Sequence, residues 1–263
     1  MKENCMKQDS ASSELLYFIE RGSGPPLLLV HGLMATGEMF EPITGQLAGH
    51  HHLIIPDLRG HGQSRKLPPP YTPVQMASDL ALLLDHLGIE SASVLGDSMG
   101  GAIAQQFVLD YPKRCDRLVL ASTYTYNFET FGEKFVGRLL PFAVRVLGLR
   151  RFAKLVTTQG TKQLSKERAD WLAGLIAEQD LKLMLSALRE AVIKFDSRRR
   201  LSEIKCPTLI VAGSIDHGDV RQANMLREGI TGSQVVIIDK ADHALMWAHT
   251  DELLRVVEEF LKS

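Results

Sequence analysis

Cysteine is scarce in this chain. The three present, Cys5, Cys115 and Cys206, are odd in number and far apart. They supply neither a disulfide framework nor metal-ligand spacing, so the expectation is a reducing compartment and no metal. No apolar run approaches the roughly 20 residues needed to span a bilayer, and no membrane span is expected. The opening Met-Lys-Glu-Asn-Cys-Met-Lys-Gln-Asp lacks the apolar stretch of a signal peptide, which points to the cytoplasm. Excess charge of one sign is missing as well. With 30 Lys and Arg against 31 Asp and Glu, the formal charge is −1, which excludes the basic field of a nucleic-acid binder. There is no internal repeat and no low-complexity tract.

What the sequence does have is a 45% apolar fraction, ample for a large buried core. Short β-branched and leucine-rich runs alternate with helical patterns. Leu15–Ile19, Leu27–Val30, Leu53–Pro56, Ser93–Leu95, Arg117–Ala121, Thr208–Gly213 and Val235–Ile238 read as strands, several without polar alternation, as in a sheet buried on both faces. Thr72-Pro73 is an N-cap followed by proline at the first helical position. Between Tyr124 and Arg200 the alternation stops. Phe128, Phe131, Phe135, Leu139, Phe142 and Val146 recur at helical spacing, and Leu181, Met184, Leu185, Leu188, Val192 and Phe195 do so again. The expected organisation is an α/β core, residues 1–122 and 201–263, carrying an all-helical insertion, residues 123–200. Alternating strands and helices predict a doubly wound parallel sheet with its site beyond the strands' carboxyl ends.

One stretch organises the rest. Ser93-Val94-Leu95-Gly96-Asp97-Ser98-Met99-Gly100-Gly101 is a strand that ends in Gly-x-Ser-x-Gly, with a helical pattern starting at once. This is the order of a nucleophile elbow, a sharp turn that presents the serine, with Gly96 and Gly100 leaving room around it. A serine hydroxyl needs a base, and the base needs a carboxylate to hold its tautomer. His243 follows the last strand and precedes the last helix, where a loop can reach the elbow. Asp216 lies just past the Thr208–Gly213 strand; Asp219 and Asp242 are its rivals, and Asp242 is disfavoured because adjacent residues point apart. The reading is therefore Ser98, Asp216 and His243. Two backbone N–H groups must face the oxyanion. Met99 supplies one, and the loop after Leu27–Val30, His31-Gly32-Leu33-Met34, supplies the other, with Leu33 preferred over Met34.

With His31-Gly32, the Asp57–Ser64 loop, Gly96-Asp97-Ser98-Met99-Gly100, Gly213-Ser214-Ile215-Asp216 and His243, the chain resembles the α/β-hydrolases over nearly its whole length. It is most similar to their serine esterase, enol-lactonase and non-haem haloperoxidase-like branch. The resemblance implies an eight-stranded, mostly parallel sheet with residues 123–200 as a helical cap, and a cofactor-free esterase acting through an acyl-enzyme on Ser98. Asp97 departs from the pattern, standing where histidine is frequent. Small to medium apolar acyl esters are the expected substrates, with Tyr124, Phe128, Phe142 and Trp171 as candidate contacts. Enol-lactones, or carbon–carbon cleavage of ring-opened products, are the alternative, and a small-molecule receptor on the same fold is a further one. The basic first half of the insertion, Arg138, Arg145, Arg150, Arg151 and Lys154, reads as a solvated face, with acyl carrier protein as an alternative partner.

Overall fold

The computed structural model describes residues 15–128, 130–157 and 163–262. Its seven strands are β1 (Phe18–Arg21), β2 (Pro26–Val30), β3 (His52–Pro56), β4 (Ala92–Asp97), β5 (Cys115–Ala121), β6 (Thr208–Gly213) and β7 (Gln234–Ile238). They form one sheet in the order β1-β3-β2-β4-β5-β6-β7. All neighbours run parallel except β1, which pairs antiparallel with β3. The resemblance implied eight strands; seven are found among the described residues, matching the seven apolar runs. The first begins later than predicted, because Leu16 is buried in the core instead of pairing at the edge.

The sheet is covered on both faces, which explains the strands' continuous apolar character. Along β2, Leu28 and Val30 pack with α2 (Pro73–His86), α3 (Met99–Asp110) and α8 (His217–Gly229). Leu27 and Leu29 pack on the other side with α1 (Glu41–Leu47), α9 (Leu245–Ala248) and α10 (Thr250–Lys262). Alternation along the strand thus sorts side chains between two apolar cores. Thr72 caps α2 by accepting from the Gln75 N–H at 3.2 Å. The predicted closing helix is broken in two at His249, whose backbone leaves the helical region.

Between β5 and β6 come α4 (Phe131–Leu147), α5 (Leu149–Leu155), α6 (Lys166–Ala177), α7 (Leu181–Ala187) and a π turn over Leu188–Ile193. The second apolar set behaves as its spacing predicts, since Met184, Leu188 and Phe195 are buried. The first set does not. On α4 only Gly137 and Val144 are buried, and the predicted apolar row faces solvent. Helical spacing correctly gave a helix but not which way its apolar row points.

Several contacts fasten this helical segment to the sheet. The Tyr124 hydroxyl donates to the Ala191 carbonyl at 3.0 Å, and the Ser197 hydroxyl donates to Gln105 Oε1 at 2.7 Å. Arg168 and Gln163 reach the carbonyls of Trp247 and Lys240. Cys115 and Cys206, 91 residues apart, meet as free thiols at 4.0 Å because β5 and β6 are neighbours.

The loop after β3 is held by charge. Asp57 accepts from the N–H groups of Gly37 (2.9 Å) and Gln63 (2.8 Å), and Arg59 forms a two-pronged pair with Asp79 at 2.6 and 2.5 Å. Both members of that pair are buried. Removing one leaves the other charged and without its counterion, which costs about 3–5 kcal/mol. Asp79→Ala is therefore expected to lower stability by about that amount in urea denaturation, measured as a shift of midpoint with the slope unchanged.

Candidate active site

Ser98 sits between β4 and α3 with φ 52° and ψ −117°, in the left-handed region that side chains seldom adopt. The turn is held from several sides. The Ser98 N–H donates to the Ala121 carbonyl at 3.0 Å, and the Thr123 hydroxyl donates to the Ser98 carbonyl at 2.6 Å. The flanking glycines are required by contact. A Cβ on Gly96 would lie 2.5 Å from the Gly100 carbonyl oxygen, and one on Gly100 would run into the Val30 and His31 carbonyls. The strained angle is maintained because its neighbours come too close for any alternative.

The Ser98 hydroxyl lies 3.1 Å from His243 Nε2. His243 Nδ1 lies 3.0 and 3.1 Å from the two carboxylate oxygens of Asp219. Asp216, expected in that place, does something else. It is the N-cap of α8, and its Oδ1 accepts from the N–H groups of Gly218 (2.8 Å) and Asp219 (3.2 Å). An aspartate directly before a helix is drawn to the free N–H groups of the first turn. Asp219, inside that first turn, is left to face the imidazole. The signal was present in Asp216-His217-Gly218-Asp219, a capping residue followed by an acid three positions on. Asp242 instead accepts from the Ala244 N–H at 2.9 Å.

Three carboxylates surround this imidazole. Burial works to lower the His243 pKa, but the charge and hydrogen bond of Asp219 outweigh it, with Asp97 and Asp216 adding, and it rises to about 9. Asp97, buried at the end of β4, has its carboxyl pushed up to about 7 by burial; His243 pulls it down and Asp219 pushes it up.

The loop after β2 stands against the serine: a Cβ built on Gly32 would lie 3.4 Å from Ser98 Cβ. Two of its N–H groups are already taken, Gly32 by Met39 Sδ at 3.3 Å and Ala35 by the Gly32 carbonyl at 3.4 Å. Leu33 and Met34, between them, line the cavity. On the helix side the Ser98 carbonyl accepts from Gly101 (3.0 Å) and Ala102 (3.4 Å), while the Met99 N–H belongs to the first turn. His31 anchors the loop. Its Nε2 accepts from the Leu58 N–H at 2.9 Å, leaving Nδ1 to donate to the Gly32 carbonyl at 2.8 Å. Only a neutral ring does both, and burial lowers the His31 pKa to about 4.

A cavity of about 570 Å³ opens over Ser98 and His243. Leu140, Phe152, Leu172, Ile176, Leu188 and Val192 form its wall from the helical segment, and Leu245, Met246 and Trp247 its wall from α9. Arg221, Gln222 and Asn127 add polar groups to its lining. Of the four candidate contacts, Tyr124 lines the cavity. Phe128 instead packs beside Gly137, Phe142 is exposed, and Trp171 stands behind Trp247, ring centroids 4.8 Å apart. Trp247 was missed because nothing in the sequence separates a cavity-facing position in a short helix from a core one.

Residues 25–250 match a family model described as the alpha/beta hydrolase fold. The chain is 29% identical to the pimeloyl-[acyl-carrier protein] methyl ester esterase of Pectobacterium carotovorum, over 94% of this chain and 99% of that one. It is 28% identical to 3-oxoadipate enol-lactonase 2 of Acinetobacter baylyi, over 82% and 80% of the two chains. Among solved structures it resembles a thermophilic esterase from Thermogutta terrifontis, with TM-score 0.82, 28% identity and 94% and 93% coverage.

Titrating the His243 ring by NMR separates the two aspartates. Asp219→Asn removes both charge and hydrogen bond and is expected to lower the midpoint strongly. Asp216→Asn removes a more distant charge and is expected to lower it less; a larger effect of Asp216→Asn would contradict the geometry.

Proposed function

This chain belongs to the α/β-hydrolase family, and we propose that it is a serine hydrolase cleaving carboxylic esters with small to medium apolar acyl groups. The observation that carries this reading is the unbroken hydrogen-bonded line from Ser98 through His243 to Asp219 at the floor of an apolar cavity. Residues 123–200 act as the cap that roofs it.

In the first step the Ser98 oxygen bonds to the ester carbon while its proton passes to His243 Nε2. Asp219, on Nδ1, holds the ring's tautomer and balances the imidazolium charge. The carbonyl oxygen becomes an oxyanion, received by the N–H groups of Leu33 and Met99. The engagement of the Gly32 and Ala35 N–H groups supports a donor at Leu33 or its neighbour Met34, of which Leu33 is our choice. The intermediate collapses, the bond to the alcohol oxygen breaks, and His243 returns its proton to the leaving alcohol. Water, deprotonated by His243, then attacks the acyl-enzyme and releases the acid and Ser98. No step calls for a metal or organic cofactor. Similarity to an enol-lactonase supports one alternative, ring opening by the same attack, in which the leaving oxygen stays tethered to the acyl group.

Hydrolysis of p-nitrophenyl esters from acetate to long acyl chains tests the proposal. Turnover is expected to peak at short to medium chains and to fall at least a thousandfold, in order of magnitude, in Ser98→Ala. Asp219→Asn is expected to lose on the order of 10⁴ and Asp216→Asn no more than about tenfold. Turnover unchanged by Ser98→Ala would sink the assignment. Enol-lactone turnover without ester turnover would select the alternative.

The pH profile follows from the charges. His243 acts as base only when neutral, and its raised pKa delays that form to alkaline pH. kcat/KM should therefore rise with pH toward a midpoint near 9. Asp97→Asn removes an anion that favours the imidazolium, so its midpoint should move down and its activity at neutral pH should rise. A profile that Asp97→Asn leaves in place would contradict this coupling.

A further inference from the structure

The outward row of α4 is unlike any other surface among the described residues. Phe131, Phe135, Leu139, Phe142 and Val146 fall within about 80° of one another on a helix turning 100° per residue. Phe131 is 88% exposed and Phe142 67%, and the other three are about half exposed or more. The opposite side of the helix is committed: Val144 is buried and Leu140 lines the cavity. Soluble surfaces scatter apolar side chains singly, whereas three phenylalanines in one row mark a docking face.

Charge identifies what docks. Lys134, Arg138 and Arg145 form a second row directly beside the apolar one, and Arg150 and Arg151 follow on α5, all exposed or partly so. From 131 to 155 there are six Lys and Arg and one acid, Glu133, in a chain whose total is −1. Glu133 is occupied, accepting from the Thr130 N–H at 3.0 Å and pairing with Arg221 at 2.9 Å. A helix with an aromatic row flanked by cations suits the plane between acyl chains and anionic headgroups. A second copy suits it poorly. A two-fold contact through this face would set the same basic rows near each other with no free acid to oppose them.

We infer that α4 docks this protein on the surface of an anionic lipid bilayer, the phenylalanine row entering the headgroup–acyl boundary and the arginines meeting the phosphates. The attachment is peripheral, since among the described residues no helix is long and apolar enough to cross a membrane. Docking does not depend on the hydrolase chemistry, and its test reads binding alone.

The test is flotation of the full chain with extruded vesicles of phosphatidylcholine, alone or mixed equally with phosphatidylglycerol. The wild type is expected to float with the mixed vesicles and about tenfold more weakly with the neutral ones. Phe131→Ser/Phe135→Ser/Phe142→Ser, which alters only exposed positions, should keep its cooperative thermal transition and lose about tenfold or more of the binding. Arg138→Glu/Arg145→Glu should lose the preference for phosphatidylglycerol. No flotation of the wild type, or undiminished flotation of the folded triple serine variant, overturns the inference. So does a dimer in light scattering that Phe142→Ser dissolves, or saturable binding to acyl carrier protein without binding to vesicles.

Discussion

The constraint on which the molecule depends is the close approach of α3 to the end of β2 behind Ser98. The Gly100 Cα stands so near the Val30 and His31 carbonyls that no side chain fits there. That contact fixes the helix relative to the strand and holds Ser98 at φ 52°. It also brings the loop after β2 alongside the serine, so one backbone contact places both the hydroxyl and the neighbouring N–H groups. The neutral His31 ties that loop to Leu58, and the buried Arg59–Asp79 pair holds the next loop in turn. Serine and the loop after β2 thus rest on two adjacent, largely buried strands in the interior of the sheet. His243 comes from the loop after the edge strand β7, and its ring is held between the Asp219 carboxylate and the Ser98 hydroxyl.

The sheet and the elbow were legible because their requirements are local. Seven apolar runs became seven strands, and Gly96, Ser98 and Gly100 fall where a strand-to-helix turn must place them. His243 was legible for a topological reason, since a loop between the last strand and the last helix of such a sheet opens at its carboxyl edge. The aspartate was harder. Asp216 and Asp219 lie on one short turn, and the choice between them rests on where α8 starts, a boundary that pattern alone locates poorly. Once the helix begins at His217, Asp216 is engaged by the helix's own N–H groups.

The segment between β5 and β6 was legible as helices but not as faces. A helical apolar row says that something apolar lies opposite; it does not say whether that partner is the same chain. For Met184, Leu188 and Phe195 it is the core and the cavity. The row on α4 faces solvent. Aromatic content was a poor guide to the cavity for the same reason: Phe128 and Phe142 are spent elsewhere, and the walls are largely leucine, isoleucine, valine and methionine.

The chain has two tryptophans, and they are each other's neighbours. Trp171 belongs to α6 in the helical segment, while Trp247 belongs to α9 beside His243 and lines the cavity. Their rings, tilted 33° to one another, bridge the seam between the two parts of the fold. The tryptophan emission of this protein therefore arises from that seam, and the molecule carries its own optical gauge of the separation between helical segment and sheet.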